Sequence, residues 1–324
     1  MTSAKPPTAP STAPTAVREL FTNRWLLLFL AVWAVATVHI FTTDRSVLPL
    51  SDQEPIGYFS GIAGGVVTLA LLLLLARRQA PLDHRNAPDF RNPGTESAGL
   101  LAWMAAVLAV GSVFGIRTHI AFVGLAPGAQ AVWDRQTPAT TLTWAIFNFV
   151  TLAVLPYCFF RYRLGYRPDS MLLRFGRPKV WVPFFILAGL PPILFVATPE
   201  YYTTSVAGHA LTLVLFTLGS FLPIMITTQS LLAPRLSVLA RSWVTGSVLT
   251  ALAYGALNIT EAFLAWDSLA QVALSLAWFM QVAFWGLAKA VTTLRTGNAW
   301  LHIATTHTLH LAEAPAVATT FGLR

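Results

Sequence analysis

Long apolar runs separated by short polar stretches dominate the chain from residue 25 onward. Nine of these runs approach the ~20 residues that carry an α-helix through a bilayer. They fall at about Trp25–Phe41, Ile56–Ala76, Gly99–Gly115, Thr140–Phe160, Trp181–Thr198, His209–Leu232, Trp243–Phe263, Leu269–Ala290 and Ala299–Ala314. The last is short and stops before Pro315, a residue that removes a helix hydrogen bond. The pattern predicts an all-α protein, a polytopic transmembrane helix bundle of about eight to nine spans.

The pattern also divides the chain. Residues 1–20 open on Pro, Thr, Ala and Ser without apolar periodicity, which predicts a disordered tail. Residues 21–160 hold four apolar segments, 161–180 form a basic connector, and 181–318 hold the remaining helices. The connector, RYRLGYRPDSMLLRFGRPK, sets Met171, Leu172, Leu173 and Phe175 among arginines, as suits a segment lying at the lipid headgroup level.

Composition narrows the class. Apolar residues make up 55% of the 324 and charged residues 10%, against roughly 25% charged in a soluble protein. So little charge cannot cover a water-facing surface of this size. The one cysteine, Cys158, excludes a disulfide framework and a cysteine-based zinc site. The net charge of +8 would suit a nucleic-acid binder, but in a membrane protein charge is counted by side. With the N-terminus inside, 17 of the 21 basic residues fall in cytoplasmic segments, and only Arg45 and Arg135 fall in outer loops. A cytoplasmic N-terminus follows, with an outer C-terminus if all nine segments cross. The expected location is the cell membrane, in a bacterium the cytoplasmic membrane. Membrane lipids and a peptide or membrane-protein partner are expected; nucleic acid and cofactors are not.

Polar residues inside spans are the first candidates for function, because each is costly there. The sixth segment carries Thr227, Thr228, Gln229 and Ser230; the seventh carries Tyr254 and Asn258 one turn apart, with Glu261 toward the outer end. The ninth carries His302, His307, His310 and Glu313. His307, His310 and Glu313 are spaced three apart, so two imidazoles and a carboxylate make a weak metal-ligand candidate that lacks a fourth ligand. Interfacial histidines and a helix-end glutamate account for the same residues.

From residue 161 onward the order of features resembles the CAAX-protease and bacteriocin-processing (CPBP) family of intramembrane proteases. Four stretches carry the resemblance: LGYRPDSMLLRFGRPK before a Trp-led helix, FLPIMITTQSLLAPRL, GSVLTALAYGALN, and GLAKAVTTLRTGNAWLHIATTH. The second resembles the family's Glu-Glu-x-x-x-Arg-Gly helix running to Pro-Arg-Leu, the third its Phe-x-x-x-His helix, and the fourth its Leu-Arg-Thr-Gly-x-x-Trp motif. The resemblance implies a scaffold that activates water with glutamates and histidines to cut a peptide bond within the membrane. In this chain the two glutamate positions are Ile224 and Met225, the arginine position is Gln229, and the Phe and His positions are Tyr254 and Asn258. The last histidine position is Thr306, with His307 one residue away. No Asp or Glu lies between Glu200 and Glu261.

The resemblance therefore implies a catalytically silent member. It would bind a peptide, lipid or partner helix in a cavity lined by Thr228, Gln229, Tyr254, Asn258, His302 and Thr306. One alternative is an active endopeptidase with a relocated site built from Asn258, His307 and Glu261, helped by His302. Another is a transporter or transporter accessory subunit.

Overall fold

A computed structural model of the chain describes residues 13–42, 55–77, 79–116, 118, 136–174, 178–191, 193, 197–260, 264, 266–305 and 307–323. Every regular element among them is helical. An amphipathic helix α1 (Ala13–Thr22) leads into α2 (Arg24–Thr42), α3 (Pro55–Leu75), α4 (Pro93–Val113), α5 (Pro138–Arg163) and α6 (Pro178–Gly189). The short α7 (Pro199–Thr203) precedes α8 (Val206–Leu239), α9 (Trp243–Ala256) and α10 (Leu269–Thr296). Two 3₁₀ stretches, Ala299–Ala304 and His307–Glu313, and α11 (Ala314–Phe321) complete the chain.

Four of these helices, α4, α5, α8 and α10, are long and apolar enough to cross a membrane, and α2, α3 and α6 contain shorter apolar stretches. Only 28% of the apolar window of α4 is buried against protein, whereas 61% of that of α8 is. Helix α4 thus turns hydrocarbon outward, as Val113 and Phe114 illustrate at its end. In water such a surface would drive aggregation; in lipid it costs nothing.

The core is α8, α9 and α10. The small residues of α9 let it lie close to its neighbours: a methyl group at Gly255 would meet Phe279 and Ala283 of α10 at about 3 Å. At Gly246 it would meet the Ser237 backbone within 2.5 Å, so α8 and α9 touch main chain to main chain. Helix α2 packs outside α10, where Trp33 stacks on Phe284 at 4.6 Å and its Nε1 donates to Gln281 Oε1 at 2.9 Å.

Element ends are set by local chemistry. Asn92 caps α4 by accepting from Thr95 N, with Pro93 at the first helical position where its missing N–H costs nothing. Ser242 and Ser268 cap α9 and α10 in the same way. Gly297, at φ 64°, ends α10 in the left-handed region, and Asn298 then accepts from Trp300 N to start the first 3₁₀ stretch. The Leu-Arg-Thr-Gly-x-x-Trp landmark is thus, physically, a helix stop followed by a new start.

Proline and backbone geometry widen α5 and α8. Phe149–Val154 and Phe159–Arg163 of α5, and Thr217–Phe221 and Met225–Leu232 of α8, are π-helical, beside Pro156, Pro223 and Pro234. Such turns recur at functional sites, and the second in α8 contains the whole Thr227–Ser230 cluster.

The ninth apolar segment departs from the sequence expectation. It is not a continuous α-helix; Thr305 and Thr308 are β-branched, poor helix formers, and Pro315 follows. A 3₁₀ helix rises about 2.0 Å per residue against 1.5 Å in an α-helix. Continued by α11, the segment runs from the connector to the start of α8. At its start Ala299 N donates to Leu172 O at 3.0 Å and Trp300 Nε1 to Leu173 O at 2.8 Å, both in the basic connector. At its finish Ser205, the cap of α8, donates to Leu323 O at 2.5 Å.

The remaining contacts between ends agree. Helix α1 and the α1–α2 turn reach the start of α9 through Glu19 with Trp243 and Asn23 with Thr245. Leu82, after α3, donates to Leu294 O of α10, and Arg91, before α4, donates its N–H to Tyr166 of the connector. The described parts of the segments expected on the cytoplasmic side thus meet at one end. A correction concerns three of the basic residues counted there: Arg235, Lys289 and Arg295 are buried within helices. Helix α10 runs six residues past the expected boundary at Ala290, and this draws Lys289 inside.

Candidate functional site

Helices α8, α9 and α10 and the 3₁₀ segment enclose most of the polar side chains singled out in the sequence. Thr227, Thr228, Gln229 and Ser230 are all fully buried. The Thr227 hydroxyl donates to Leu152 O of α5, Thr228 to Ile224 O at 2.7 Å, and Ser230 to Met171 O of the connector at 2.5 Å. Gln229 donates to Thr228 Oγ1 at 3.1 Å and accepts from Thr293 Oγ1 of α10 at 3.1 Å. A buried polar group must be paired to avoid its desolvation cost; Thr227, Gln229 and Ser230 find partners outside α8, and Thr228 finds its partners within it. The cluster joins α8 to α5, α10 and the connector.

One turn from Thr293 on α10 stands Lys289. Its Nζ lies 3.4 Å from Thr305 Oγ1 and 5.6 Å from the centre of the Tyr254 ring. Thr305 in turn donates to His302 O at 2.6 Å. His302 Nδ1 lies 2.6 Å from Ala299 O, which assigns the proton to Nδ1 and makes Nε2 an acceptor. The His302 ring meets His307 edge-on at 4.8 Å; His307 stacks on Phe221 at 5.4 Å, and His310 on Phe216 at 4.7 Å. Lys289, Tyr254, His302 and His307 are thereby brought into one buried neighbourhood, with Gln229 linked to it through Thr293.

Other candidates sit apart or outside. Asn258, just past the end of α9, donates back to Tyr254 O at 3.0 Å, while its neighbour Leu257 accepts from Thr118 at 2.5 Å. Glu261 and Thr306 lie outside the described residues. His307 and His310 are 5.8 Å apart and Glu313 is buried one 3₁₀ turn on. Among the described residues no group of three or more His, Cys, Asp or Glu is placed to hold a metal ion. Ile224 and Met225 are buried in the hydrophobic core.

Sequence reading missed two features. Lys289 reads as a cytoplasmic charge when α10 is ended at Ala290, although WGLAKAVTTL surrounds it with apolar neighbours. The second is a charge centre at the connector end. Arg235 of α8, fully buried, donates from Nε to Glu96 Oε2 of α4 at 2.5 Å and from Nη1 to Leu231 O at 2.7 Å. Phe90, Phe160 and Tyr166 surround its guanidinium, with ring centres 4.4, 4.5 and 4.9 Å away. Tyr166 donates to the other Glu96 oxygen at 2.6 Å. The partners lie 139 and 70 residues apart, so nothing local in the sequence joins them.

Tyr166 belongs to the connector, and burial, reinforced by its bond to the Glu96 carboxylate, holds its phenol above the ordinary tyrosine range. Comparison of the chain with protein-family models, with curated proteins and with solved structures finds no match.

Proposed function

We propose that the chain is a multi-pass membrane protein of the cytoplasmic membrane, crossing eight or nine times from a cytoplasmic N-terminus. In this reading it is a CPBP-like scaffold that binds a peptide, lipid or partner helix and does not hydrolyse it. The observation that carries the reading is hydrocarbon at Ile224 and Met225, buried where the resembling proteases hold their glutamates. Neither side chain can take a proton from water, and Gln229, in the arginine position, is committed to Thr228 and Thr293. What remains beside them is a set of hydroxyls, amides, an amine and imidazoles in a dry interior, suited to neutral hydrogen bonding.

The test is proteolysis in reconstituted vesicles. Purified protein with transmembrane and prenylated reporter peptides is expected to leave them intact by mass spectrometry while retaining them in the vesicle fraction. Cleavage that disappears in His307→Ala would establish the relocated-site endopeptidase instead.

One observation favours a transport reading as a second. His302, His307 and His310 are buried along the two 3₁₀ stretches, and Lys289 of α10 lies beside them, 3.4 Å from Thr305. Ionisable residues and irregular backbone at depth mark ion and substrate pathways in transporters. Flux driven by an imposed pH gradient in vesicles, lost in Lys289→Met, would favour it over the binding reading.

A further inference from the structure

Helices α4 and α5 touch where Trp103 Nε1 donates to Thr151 O at 2.8 Å, and toward the connector they part. The gap between them is a cavity of about 750 Å³, within the size range of ligand sites. Its two ends differ chemically. At the connector end it is rimmed by Arg91, Thr95 and Glu96; deeper in, its walls are Leu100, Trp103, Leu155 and Phe159. From Asn92 to Trp103 is eleven residues of chain, which at 1.5 Å each is about 16 Å. That is close to half of the ~30 Å hydrocarbon core, the depth of one leaflet.

Charge at the rim has one sign. Glu96 is matched by buried Arg235 and by the Tyr166 hydroxyl, so it adds no free negative charge. Arg91 is exposed, with its guanidinium reaching the connector beside Gly165, where a methyl group would lie 3.6 Å from Nη2. The connector, which contributes Leu164 to the lining, carries Arg161, Arg163 and Arg167 on either side of it in the chain, while Asp169 is engaged by Arg174.

We infer that this groove holds one acyl chain of an anionic glycerophospholipid of the cytoplasmic leaflet, with its phosphate at Arg91. The inference rests on the membrane reading above but concerns a site separate from the α8–α10 interior. A polar mouth at headgroup level, an apolar channel one leaflet deep and surplus positive charge are the three features such a lipid requires. A zwitterionic lipid would use the channel and gain little at the mouth.

Two variants separate channel from mouth. A methyl group at Gly99, which lies in the groove wall, would meet nothing within 4 Å, so Gly99→Phe can fill the channel without displacing backbone. Arg91→Gln removes the phosphate partner alone. Full-length protein is incorporated into vesicles of phosphatidylglycerol and phosphatidylcholine with identical chains, extracted gently, and weighed by native mass spectrometry.

Wild type should retain one phosphatidylglycerol with about tenfold preference. Arg91→Gln should bring the preference to near parity, and Gly99→Phe should abolish retention of either lipid. Equal retention of the two lipids by wild type, or retention unchanged in both variants, overturns the inference. Resistance to alkaline extraction from membranes is read on the same samples. Integrated protein without bound lipid rejects the groove, whereas protein that washes off rejects the membrane reading itself. A thermal melt accompanies each variant; should Gly99→Phe not fold, Arg91→Gln alone decides the preference.

Discussion

At the scale of single residues, the most heavily constrained group is Arg235. Its charge is removed from water, and Glu96 together with three aromatic faces replaces the lost solvation. Glu96→Ala is expected to strand that charge and to cost about 3–5 kcal/mol, read as a lower midpoint in thermal unfolding of detergent-solubilised protein. Combining Glu96→Ala with Arg235→Leu should recover much of the loss, because no unpaired charge is then left inside. Additive losses in this cycle would mean that the two side chains stabilise the protein independently.

Tyr166 gives the same centre a pH signature. Its phenol titrates above the unfolded value of about 10, so the neutral form is the one the fold favours. The stabilisation is complete below pH 10 and is lost as pH rises from there toward the folded value, where the unfolded chain ionises first. Wild type should exceed Tyr166→Phe by about 1–2 kcal/mol at pH 8. That gap should close progressively above pH 10. A gap independent of pH would mean that the phenol titrates alike in the folded and unfolded chain.

At the scale of elements, spacing and chemistry part company. Apolar run length announced most of the helices, since a span needs about 20 apolar residues and little else does. At the ninth segment it missed the 3₁₀ geometry, where β-branched Thr305 and Thr308 and the following Pro315 weaken an α-helix. It failed at Lys289 because a single charge in a run looks like its end. The polar residues of α8 were visible as intruders among apolar neighbours; their partners Leu152, Met171 and Thr293 were not, because pairing across helices leaves no trace in spacing. The Arg235–Glu96 pair was invisible for the same reason.

Helices α8 and α9 approach main chain to main chain at Gly246, where a methyl group would lie 2.5 Å from the Ser237 backbone. Backbone cannot rotate aside as a side chain can. Gly246→Ala should therefore cost about 1–3 kcal/mol or more by overpacking, despite the gain in helix propensity. Gly99→Ala, with open space around the new methyl, should be neutral or slightly stabilising. Equal melting of the two variants would mean that α9 can shift away from α8 without loss.

At the scale of the whole molecule, the path of the last segment decides where the chain ends. The hydrogen bonds of Ala299 and Trp300 to the connector fix its start at the basic end, and that of Ser205 to Leu323 fixes its finish at the other. Helix α11 covers the last part of that path, and buried hydrogen bonds and ring stacking, rather than apolar length, hold the segment inside the bundle.

The charge balance agrees with that path even after Arg235, Lys289 and Arg295 are set aside as buried. Arg161, Arg163, Arg167, Arg174 and Lys179 still weight the connector end, in the sense the positive-inside rule requires. A reporter fused after Arg324 should accordingly fold and act only on the outer side. A tag before Met1 should resist protease added to intact cells and be cut once the membrane is permeabilised. Both termini on one side would mean an even number of crossings. The 3₁₀ segment and α11 together would then have to return to the face they started from, against the Ser205–Leu323 contact that places the end of α11 beside the start of α8.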